Sequence, residues 1–375
     1  MGGTAAVVAL GSRCAARLQP AAVEPRSSAG GRARRLAPVD VTPERIIRRT
    51  VGLRPFRPSG FVVSAESLGD KLLVHNYGHG GAGVTLSWGT AELAADLVRE
   101  GGRTGSAAVI GCGAVGLATA RVLQNRGFDV TIYARELPPG TTSSVAGAMW
   151  YPAYIVDRAR RTPAWDAQFE SAQKAAHRAF QGLVGPDYGV RWEQDYFLSE
   201  SSEGALPDWG LPELYPDRHV LPASENPFPA AHVVVDNMIF IEPPTYLRAL
   251  MRDFRLAGGR IVVRDFATPA DLVALPGSVV MNCTGLGARE LFGDRELTPV
   301  KGQLTVLLPQ PEVDYSVVTE ELYMFPRSDG VLLGGTHERG VETMEPDLEA
   351  EKRILAGQRA IFQGMKSRNP ASPSP

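Results

Sequence analysis

A glycine-rich loop in the middle of this 375-residue chain constrains its fold more than any other feature. Residues 111–116 read GCGAVG, follow the apolar run from Ala107 to Ile110, and open an Ala-rich stretch with helical spacing. Gly111 permits a tight turn, Gly113 lets the backbone approach a pyrophosphate, and Gly116 lets the helix pack closely on the strand. The loop therefore predicts a Rossmann-like βαβ unit whose helix N-terminus binds the phosphates of a dinucleotide.

The end of the next strand bears on the choice of dinucleotide. This strand is predicted from Phe128 to Tyr133, and an acidic residue at its end is expected to hold the ribose hydroxyls. Glu136 is the carboxylate available there, and Arg135 beside it suggests a phosphate site of the kind that selects NADP. The residues of this unit alone leave the dinucleotide open, with NADP among the options.

A second glycine-rich segment lies upstream of the loop. Residues 75–85 read HNYGHGGAGVT, so that glycines are interspersed with two histidines and an amide. Such a loop exposes its backbone and can lie against a flat ligand. Together with Arg54-Pro55-Phe56-Arg57-Pro58, this segment closely resembles the C-terminal signature of the D-amino-acid oxidase family of flavoproteins. Further motifs of that family are Ala134-Arg135-Glu136-Leu137-Pro138, Thr141-Thr142-Ser143, Asn282-Cys283-Thr284-Gly285, Lys301-Gly302-Gln303 and Leu333-Gly334-Gly335-Thr336. The similarity extends from residue 41 to about 360 and implies FAD as the cofactor.

The order of these motifs differs from the family's order. In the family the glycine loop opens the chain and the Arg-Pro and HNYGHGG segments close it, whereas here the closing segments come first. Residues 99–106 join them to the loop, and a connector of about six residues spans at most roughly 20 Å. We therefore interpret the sequence as a circular permutation in which the connector joins ends that were already neighbours.

The resemblance also implies roles for individual residues. Arg54 matches the guanidinium that binds the substrate α-carboxylate, Tyr323 the hydroxyl that holds the same carboxylate, and Gly81 the carbonyl that accepts the amine. A guanidinium fork suits bidentate binding of a carboxylate. The matching cofactor positions are Gly111, Gly113, Ala114, Val115, Gly116, Arg135, Glu136, Thr142, Ser143, Met149, Gly80, Gly81, Gly83, Val84 and Thr85.

The activity that the resemblance implies is the oxidation of a D-amino acid. A hydride passes from the α-carbon to the flavin, O2 is the final acceptor, and the products are an oxo acid, ammonia and H2O2. The alternatives are a flavin amine oxidase of the glycine/sarcosine type, one of the D-aspartate type, and a flavin-binding pseudoenzyme. The hypothesis of an NADP-linked dehydrogenase depends on Arg135 alone and does not explain the HNYGHGG segment.

Two positions depart from the family pattern where the substrate side chain would bind. A second active-site tyrosine of many members, four positions before Tyr323, falls on Thr319, and the lid that carries it is short. A pocket tyrosine falls on Ala153, although Tyr154 is adjacent. An acidic substrate would need a further cation, for which Arg327 and Arg339 are candidates.

Composition excludes several other classes of function. With 39 basic and 41 acidic side chains, nothing favours nucleic acid or an acidic membrane surface as a partner. Three cysteines and six histidines lack the spacing of a disulfide framework or a metal site. The expected partners are a small-molecule substrate and O2; the oligomeric state stays open, a homodimer being one option.

The expected fold class is α/β (α+β overall), with a Rossmann-like FAD-binding domain and a mixed-sheet substrate domain. The FAD-binding domain is assigned to 55–152 and 245–302, and the substrate domain to 41–54, 153–244 and 303–366. Segment 153–250 is rich in proline and aromatic residues and suggests a less regular lobe. A polar segment, 367–375, is expected to be disordered.

Residues 1–38 are predicted to be a disordered or targeting-like leader. The apolar run from Gly2 to Gly11 is too short to span a bilayer and has no basic region before it. As written, the sequence suggests a cytoplasmic protein, and an exported one if the leader is a truncated signal sequence. After the leader, Thr42-Pro43-Glu44 predicts the start of a helix, since proline is favoured at the first helical position.

Overall fold

The computed structural model describes residues 35–147, 149–200 and 210–366. The predicted tail, 367–375, and residues 1–34 of the predicted leader lie outside these ranges. In chain order the strands are β1 (Ile46–Phe56), β2 (Val62–Leu68), β3 (Lys71–Tyr77), β4 (Ser106–Ile110), β5 (Asp129–Ala134), β6 (Val190–Ser199), β7 (His219–Val220), β8 (His232–Ile241), β9 (Arg260–Val263), β10 (Val279–Asn282), β11 (Thr298–Leu307), β12 (Tyr315–Val318), β13 (Tyr323–Arg327), β14 (Gly330–Gly334) and β15 (Glu338–Arg339). The helices are α1 (Ser87–Glu100), α2 (Ala114–Asn125), α3 (Pro163–Gln181), α4 (Pro243–Leu256), α5 (Ala270–Val273), α6 (Ala288–Leu291) and α7 (Leu348–Gln363).

One sheet contains the predicted βαβ unit. Its order is β2-β3-β10-β4-β5-β9, and all neighbours pair in parallel except β2, which is antiparallel to β3. Strands β4 and β10 are apolar along almost their whole length, as buried parallel strands are. Helices α1, α2 and α4 pack on one another beside this sheet, and their apolar residues form the larger core of the molecule. The predicted dinucleotide-binding unit is therefore confirmed as a layered α/β arrangement.

The second sheet is mostly antiparallel. Its order is β1-β11-β14-β13-β12-β6-β8-β7, with β15 pairing on β11, and the neighbours β12 and β6 run in parallel. The 11-residue strand β1 pairs with β11 along nearly its full length. Helix α7 packs against this sheet, and a second apolar core lies beneath it. The expected mixed α/β class, with one Rossmann-like sheet and one mixed sheet, is confirmed.

Two local expectations differ from the structure. The predicted helix at Thr42 is a single 3-10 turn, Pro43–Arg45, that leads directly into β1, and the Thr42 side chain makes no capping hydrogen bond. This prediction was wrong because the β-branched residues that follow pair with β11, and that pairing outweighs the local helix signal. Segment 153–250 is also more regular than expected, since it contains the 19-residue helix α3 and the ten-residue strands β6 and β8.

Residues near both ends of the described chain pack together. Leu36, which lies inside the predicted leader of residues 1–38, and Val39 just after it are buried in the core under the second sheet, so the core begins earlier than the sequence suggested. The Tyr315 hydroxyl donates to the carbonyl of Ala37 at 2.6 Å and lies 3.9 Å from the sulfur of Met365. The N- and C-terminal parts of the described chain thus meet at one side chain.

Candidate functional site

A cavity of about 1890 Å³ is lined by residues of both sheets. This volume exceeds the range of roughly 300–1,000 Å³ that holds most small ligands. Arg54, Gly81 and Tyr323 line the cavity, as do all the predicted cofactor positions except Gly116. The structure thus brings together residues that the sequence places far apart.

The glycine loop is shaped by close backbone contacts. Gly111 has φ +114°, and a Cβ there would overlap the carbonyl of Cys283, so only glycine fits. Gly116 does not line the cavity; a Cβ there would overlap the carbonyl of Gly111, which agrees with the packing role predicted for it. The Ser143 hydroxyl accepts a hydrogen bond from the backbone N–H of Ala114 at 3.0 Å. The N-terminus of α2 therefore opens into the cavity beside a hydroxyl.

The carboxyl ends of the parallel strands line the same cavity. Arg135 and Glu136 follow β5, are mostly exposed, and lie 3.9 Å apart as an ion pair. Arg264 to Ala267, which follow β9, also line the cavity and were not predicted. Ligands of open α/β sheets bind outside the carboxyl ends of the strands, so the apolar stretch from Ile261 to Val263 was a signal that could have found them.

His79 of the HNYGHGG segment is buried inside the protein. His79 is 1% exposed, its Nε2 lies 2.9 Å from the Thr90 hydroxyl, and its ring stacks on Phe61. Burial lowers the pKa of His79 to about 3, so the ring is neutral at neutral pH. The glycines that follow form the 3-10 turn Gly80–Ala82 at the cavity wall, where the Gly81 N–H donates to the Tyr154 carbonyl at 3.2 Å.

Arg54 and Tyr323 meet over two glycines of the second sheet. A Cβ on Gly302 would overlap the Arg54 guanidinium, and a Cβ on Gly334 would overlap the Tyr323 ring. The guanidinium donates to the Thr336 carbonyl at 3.3 Å and lies close enough to the Tyr323 hydroxyl to affect its pKa. Burial raises the pKa of Tyr323 and Arg54 partly opposes this, so the hydroxyl stays protonated. A guanidinium beside a phenol hydroxyl is an arrangement suited to binding a carboxylate.

Tyr154 and His337 lie at the cavity beside this pair. Their rings stack with centroids 4.0 Å apart, and Tyr154 has φ +53°, an uncommon conformation for a residue with a side chain. The pKa of His337 is lowered to about 4 by burial and by the positive charges of Arg54 and Arg339. His337 was not predicted; its position directly after the LGGT motif was the available signal.

The two positions that depart from the family pattern line the cavity, whereas the two arginines considered as cations for an acidic substrate do not. Thr319 and Ala153 line the cavity, and Thr319 accepts the backbone N–H of Leu322 in the tight turn between β12 and β13. Arg327 is held by Asp329 at 2.7 Å, and Arg339 by Asp157 at 3.1 Å. Neither of these two candidate cations is among the residues that line the cavity.

The geometry defines a class of protein. A glycine loop at a helix N-terminus, the carboxyl ends of parallel strands, and a second sheet facing them across a large cavity are the parts of a dinucleotide-dependent enzyme that binds its substrate next to the cofactor. The chain belongs to the family described as FAD dependent oxidoreductase, whose match covers residues 4–97 and 106–372. It is therefore an FAD-dependent enzyme acting on a small-molecule substrate.

Several curated relatives are similar over about two thirds of the chain. A D-amino-acid oxidase of Rubrobacter xylanophilus is 33% identical over 260 residues, covering 66% of this chain and 74% of the relative. A D-amino-acid oxidase of Streptomyces coelicolor is 34% identical, covering 68% and 76%. A D-aspartate oxidase of Homo sapiens is 32% identical over 261 residues, covering 68% and 74%.

Solved structures share the fold at lower identity. Glycine oxidase from Bacillus cereus superimposes with a TM-score of 0.53 at 17% identity, covering 68% of this chain and 77% of that one. Glycine oxidase from Geobacillus kaustophilus gives 0.51 at 19%, covering 69% and 79%. No helix within the described ranges is long and apolar enough to cross a membrane.

Proposed function

We propose that this protein is an oxidase that deaminates D-amino acids with FAD as cofactor. One observation carries the proposal: the Arg54–Tyr323 pair lies in the same cavity as the glycine loop, so a bound carboxylate is held next to the cofactor. Relatives named D-amino-acid oxidase at 33–34% identity support the same substrate class. Overall, a D-amino acid, O2 and water give an oxo acid, ammonia and H2O2.

The residues of the cavity fit FAD. The glycine loop, the N-terminus of α2 and Ser143 suit a pyrophosphate, and Glu136 at the end of β5 suits ribose hydroxyls. The Gly80–Ala82 turn and Met149, which line the cavity near the Arg54–Tyr323 pair, suit the flat ring system. When bound, FAD supplies the acceptor for the hydride that leaves the α-carbon.

The protein's own contribution is orientation. Arg54 and Tyr323 hold the α-carboxylate, and the Gly81 carbonyl accepts a hydrogen bond from the substrate amine, so that the α-hydrogen faces the cofactor. Binding at two fixed points holds the substrate in position for the reaction. This positioning can lower the activation barrier by up to about 7–11 kcal/mol. This mechanism assigns no side chain as a base for the α-proton.

Anaerobic reduction of the flavin tests the proposal. The purified protein is expected to be yellow, and D-alanine is expected to bleach the flavin absorbance while L-alanine does not. Glycine and sarcosine, added separately, test the glycine-oxidase alternative. Absence of bound flavin, or bleaching by glycine or sarcosine but by no D-amino acid, would contradict the proposal.

A further inference from the structure

Two aromatic rings at the wall of the cavity are stacked although both face solvent. Tyr154 is 51% exposed and His337 is also exposed, yet both line the cavity. Their ring centroids are 4.0 Å apart, and the ring planes are inclined by 26°. Side chains that line a cavity and also face solvent lie at its mouth. The stack therefore marks an opening of the cavity.

The backbone places this stack next to the residues that we propose bind the substrate. The Arg54 guanidinium donates to the Thr336 carbonyl at 3.3 Å, and His337 directly follows Thr336. The Gly81 N–H donates to the Tyr154 carbonyl at 3.2 Å. Each ring thus belongs to a residue that adjoins one of the groups proposed to hold the substrate, the carboxylate at Arg54 and the amine at Gly81.

Electrostatic effects between the rings and the Arg54–Tyr323 pair agree with this placement. Burial raises the pKa of Tyr323, and Tyr154 adds to this effect. Burial lowers the pKa of His337, and the charge of Arg54 lowers it further. Effects of this kind fall off over about 10 Å. The stack therefore lies close to both members of the pair, on the side from which solvent reaches the cavity.

The backbone of Tyr154 is held in a strained conformation by the glycine turn. Its φ is +53°, in the left-handed region that residues with a side chain rarely adopt. A Cβ on Gly80 would overlap the Tyr154 carbonyl, and one on Gly81 would overlap the Ala153 carbonyl, so the turn packs directly against this backbone. Strain of this kind persists only where the surrounding structure enforces it, and it is concentrated at functional sites. The same packing that forms the cavity wall thus directs the Tyr154 ring towards His337.

A second contact joins the same two segments of the chain. Asp157 pairs with Arg339 at 3.1 Å, within three positions of the stacked residues, and both side chains are partly exposed. The Asp157 N–H donates to the Pro58 carbonyl at 2.9 Å, which holds this end of the segment. Aromatic stacks and exposed ion pairs are individually weak contacts. The two segments can therefore separate at their side chains while both sheets stay intact.

We propose that the Tyr154–His337 stack is a gate over the substrate site, which closes above Arg54 and Tyr323 and parts to let ligands enter and leave. This inference rests on the proposed function, because it concerns the same site. Closure of such a gate separates the reacting groups from bulk water. The gate acts on the rates of entry and exit and leaves the affinity for a carboxylate unchanged, because it closes over the empty and the occupied site alike.

The exchange of propionate tests the gate, because propionate carries the carboxylate of D-alanine without its amine and cannot react. Stopped-flow measurement of the flavin signal of the holoenzyme gives its association and dissociation rate constants. His337→Ala is expected to raise both at least about fivefold, the factor by which a stack of this kind favours its closed state, with the Kd within about twofold of wild type. His337→Phe, which can restore the stack, is expected to return both rate constants to near the wild-type values.

The matched control is Trp192→Leu. This change removes a ring that is 46% exposed, contacts His177 and is not among the residues that line the cavity. Both rate constants are expected to stay at the wild-type values. Iodide quenching of the flavin fluorescence in the ligand-free holoenzyme is a second measurement, and it decides the case if propionate binds too weakly. Quenching is expected to rise in His337→Ala and to fall back in His337→Phe.

Wild-type rate constants and quenching in His337→Ala would overturn the gate. A change in the dissociation rate constant alone would also overturn it, because the ring would then contact the ligand itself. Equal behaviour of His337→Phe and His337→Ala would exclude the stack as the cause. Reduction of the flavin by D-alanine in the same preparation keeps these results separate from a failure of the proposed function, in which no D-amino acid reduces the flavin.

Discussion

At several single residues of this protein, the neighbouring residues set the side-chain geometry and the pKa. Arg54 and Tyr323 rest on Gly302 and Gly334, and only the missing Cβ atoms let the two side chains lie flat on the sheet and meet. The buried His79 is kept neutral by the exclusion of water, and its Nε2 lies 2.9 Å from the Thr90 hydroxyl. Side chains of the same types on an open surface would have neither the geometry nor the shifted pKa.

Replacement of Arg54 tests the carboxylate site directly. Arg54→Met is expected to raise the KM for D-alanine by about 100-fold, since hydrogen bonds to a charged group contribute roughly 1.5–3 kcal/mol each. Flavin content, read from the absorbance spectrum, is expected to stay at the wild-type level because the glycine loop is untouched. The control is Arg252→Met, since Arg252 is an exposed arginine. An unchanged KM in Arg54→Met would show that Arg54 does not bind the carboxylate.

The burial of His79 predicts a specific loss of stability in acid. Its pKa is about 3 in the folded protein against 6.5 when exposed, so below pH 6.5 the unfolded chain binds more protons than the folded one. The free energy of unfolding should therefore fall as the pH drops from about 6.5 towards 3. His79→Gln should flatten this slope in urea titrations at several pH values, by an amount on the order of 4 kcal/mol across the range.

The control for this measurement is His219→Gln, whose ring contacts the carbonyl of Asp217 two residues away. That variant should keep the wild-type pH slope. An equal slope in wild type and His79→Gln would show that other groups dominate the acid response.

Among the elements of the fold, the second sheet positions the two side chains that we propose bind the substrate carboxylate. The pairing of β1 with β11, β11 with β14, and β14 with β13 carries Arg54 and Tyr323 onto one surface. The β12–β13 turn is tight and is closed by a hydrogen bond from the Thr319 N–H to the Leu322 carbonyl at 2.7 Å. The short lid expected from the sequence is thus a four-residue turn, and the stacked Tyr154 and His337 rings lie at the cavity instead.

A methyl group on β14 should disturb this platform without touching the cofactor. Gly334 does not line the cavity, but a Cβ there would overlap the Tyr323 ring. Gly334→Ala is therefore expected to raise the KM for D-alanine about tenfold, the effect of losing one hydrogen bond to the carboxylate, with flavin still bound. Gly182→Ala, at the end of α3, is the control. A KM within twofold of wild type would show that Tyr323 does not depend on Gly334.

In the whole molecule, residues near the two ends of the described chain lie close together. Arg359 on α7 donates to the carbonyl of Val41 at 3.1 Å, and Ala37 and Met365 both contact Tyr315. The family match also divides at the connector, into 4–97 and 106–372. Both observations support the interpretation of a circular permutation, which stays a prediction.

Restoring the family's motif order tests this interpretation. A variant that opens the chain within 101–105 and joins Lys366 to Arg35 through a short Gly/Ser linker is expected to bind flavin, with a kcat/KM within about threefold of wild type, because neighbouring ends tolerate rejoining. A variant that carries the same linker inserted at 101–105 without reordering is the control. Failure of the reordered chain alone to bind flavin would contradict the interpretation.

The cofactor-binding βαβ unit of this protein could be predicted from the sequence alone. Residues 107–136 form a strand, loop, helix and strand whose period and glycine spacing are local, so the βαβ unit and its ligand class could be predicted directly. The resemblance added Arg54, Gly81 and Tyr323, and all three line one cavity. The βαβ unit could be predicted because its motif carries its own geometry within a few residues, whereas the roles of Arg54, Gly81 and Tyr323 stay predictions.

Which other side chains line the cavity could not be predicted from local sequence patterns. Arg327 and Arg339 looked suitable by sequence, yet ion pairs hold them outside the cavity lining, while Arg218 and His337 line it. The start of β1 was likewise decided by its pairing with β11 and not by the helix signal at Thr42. The reason is physical: a side chain's direction and partners depend on strand register and burial, which are set by contacts between residues far apart in the chain.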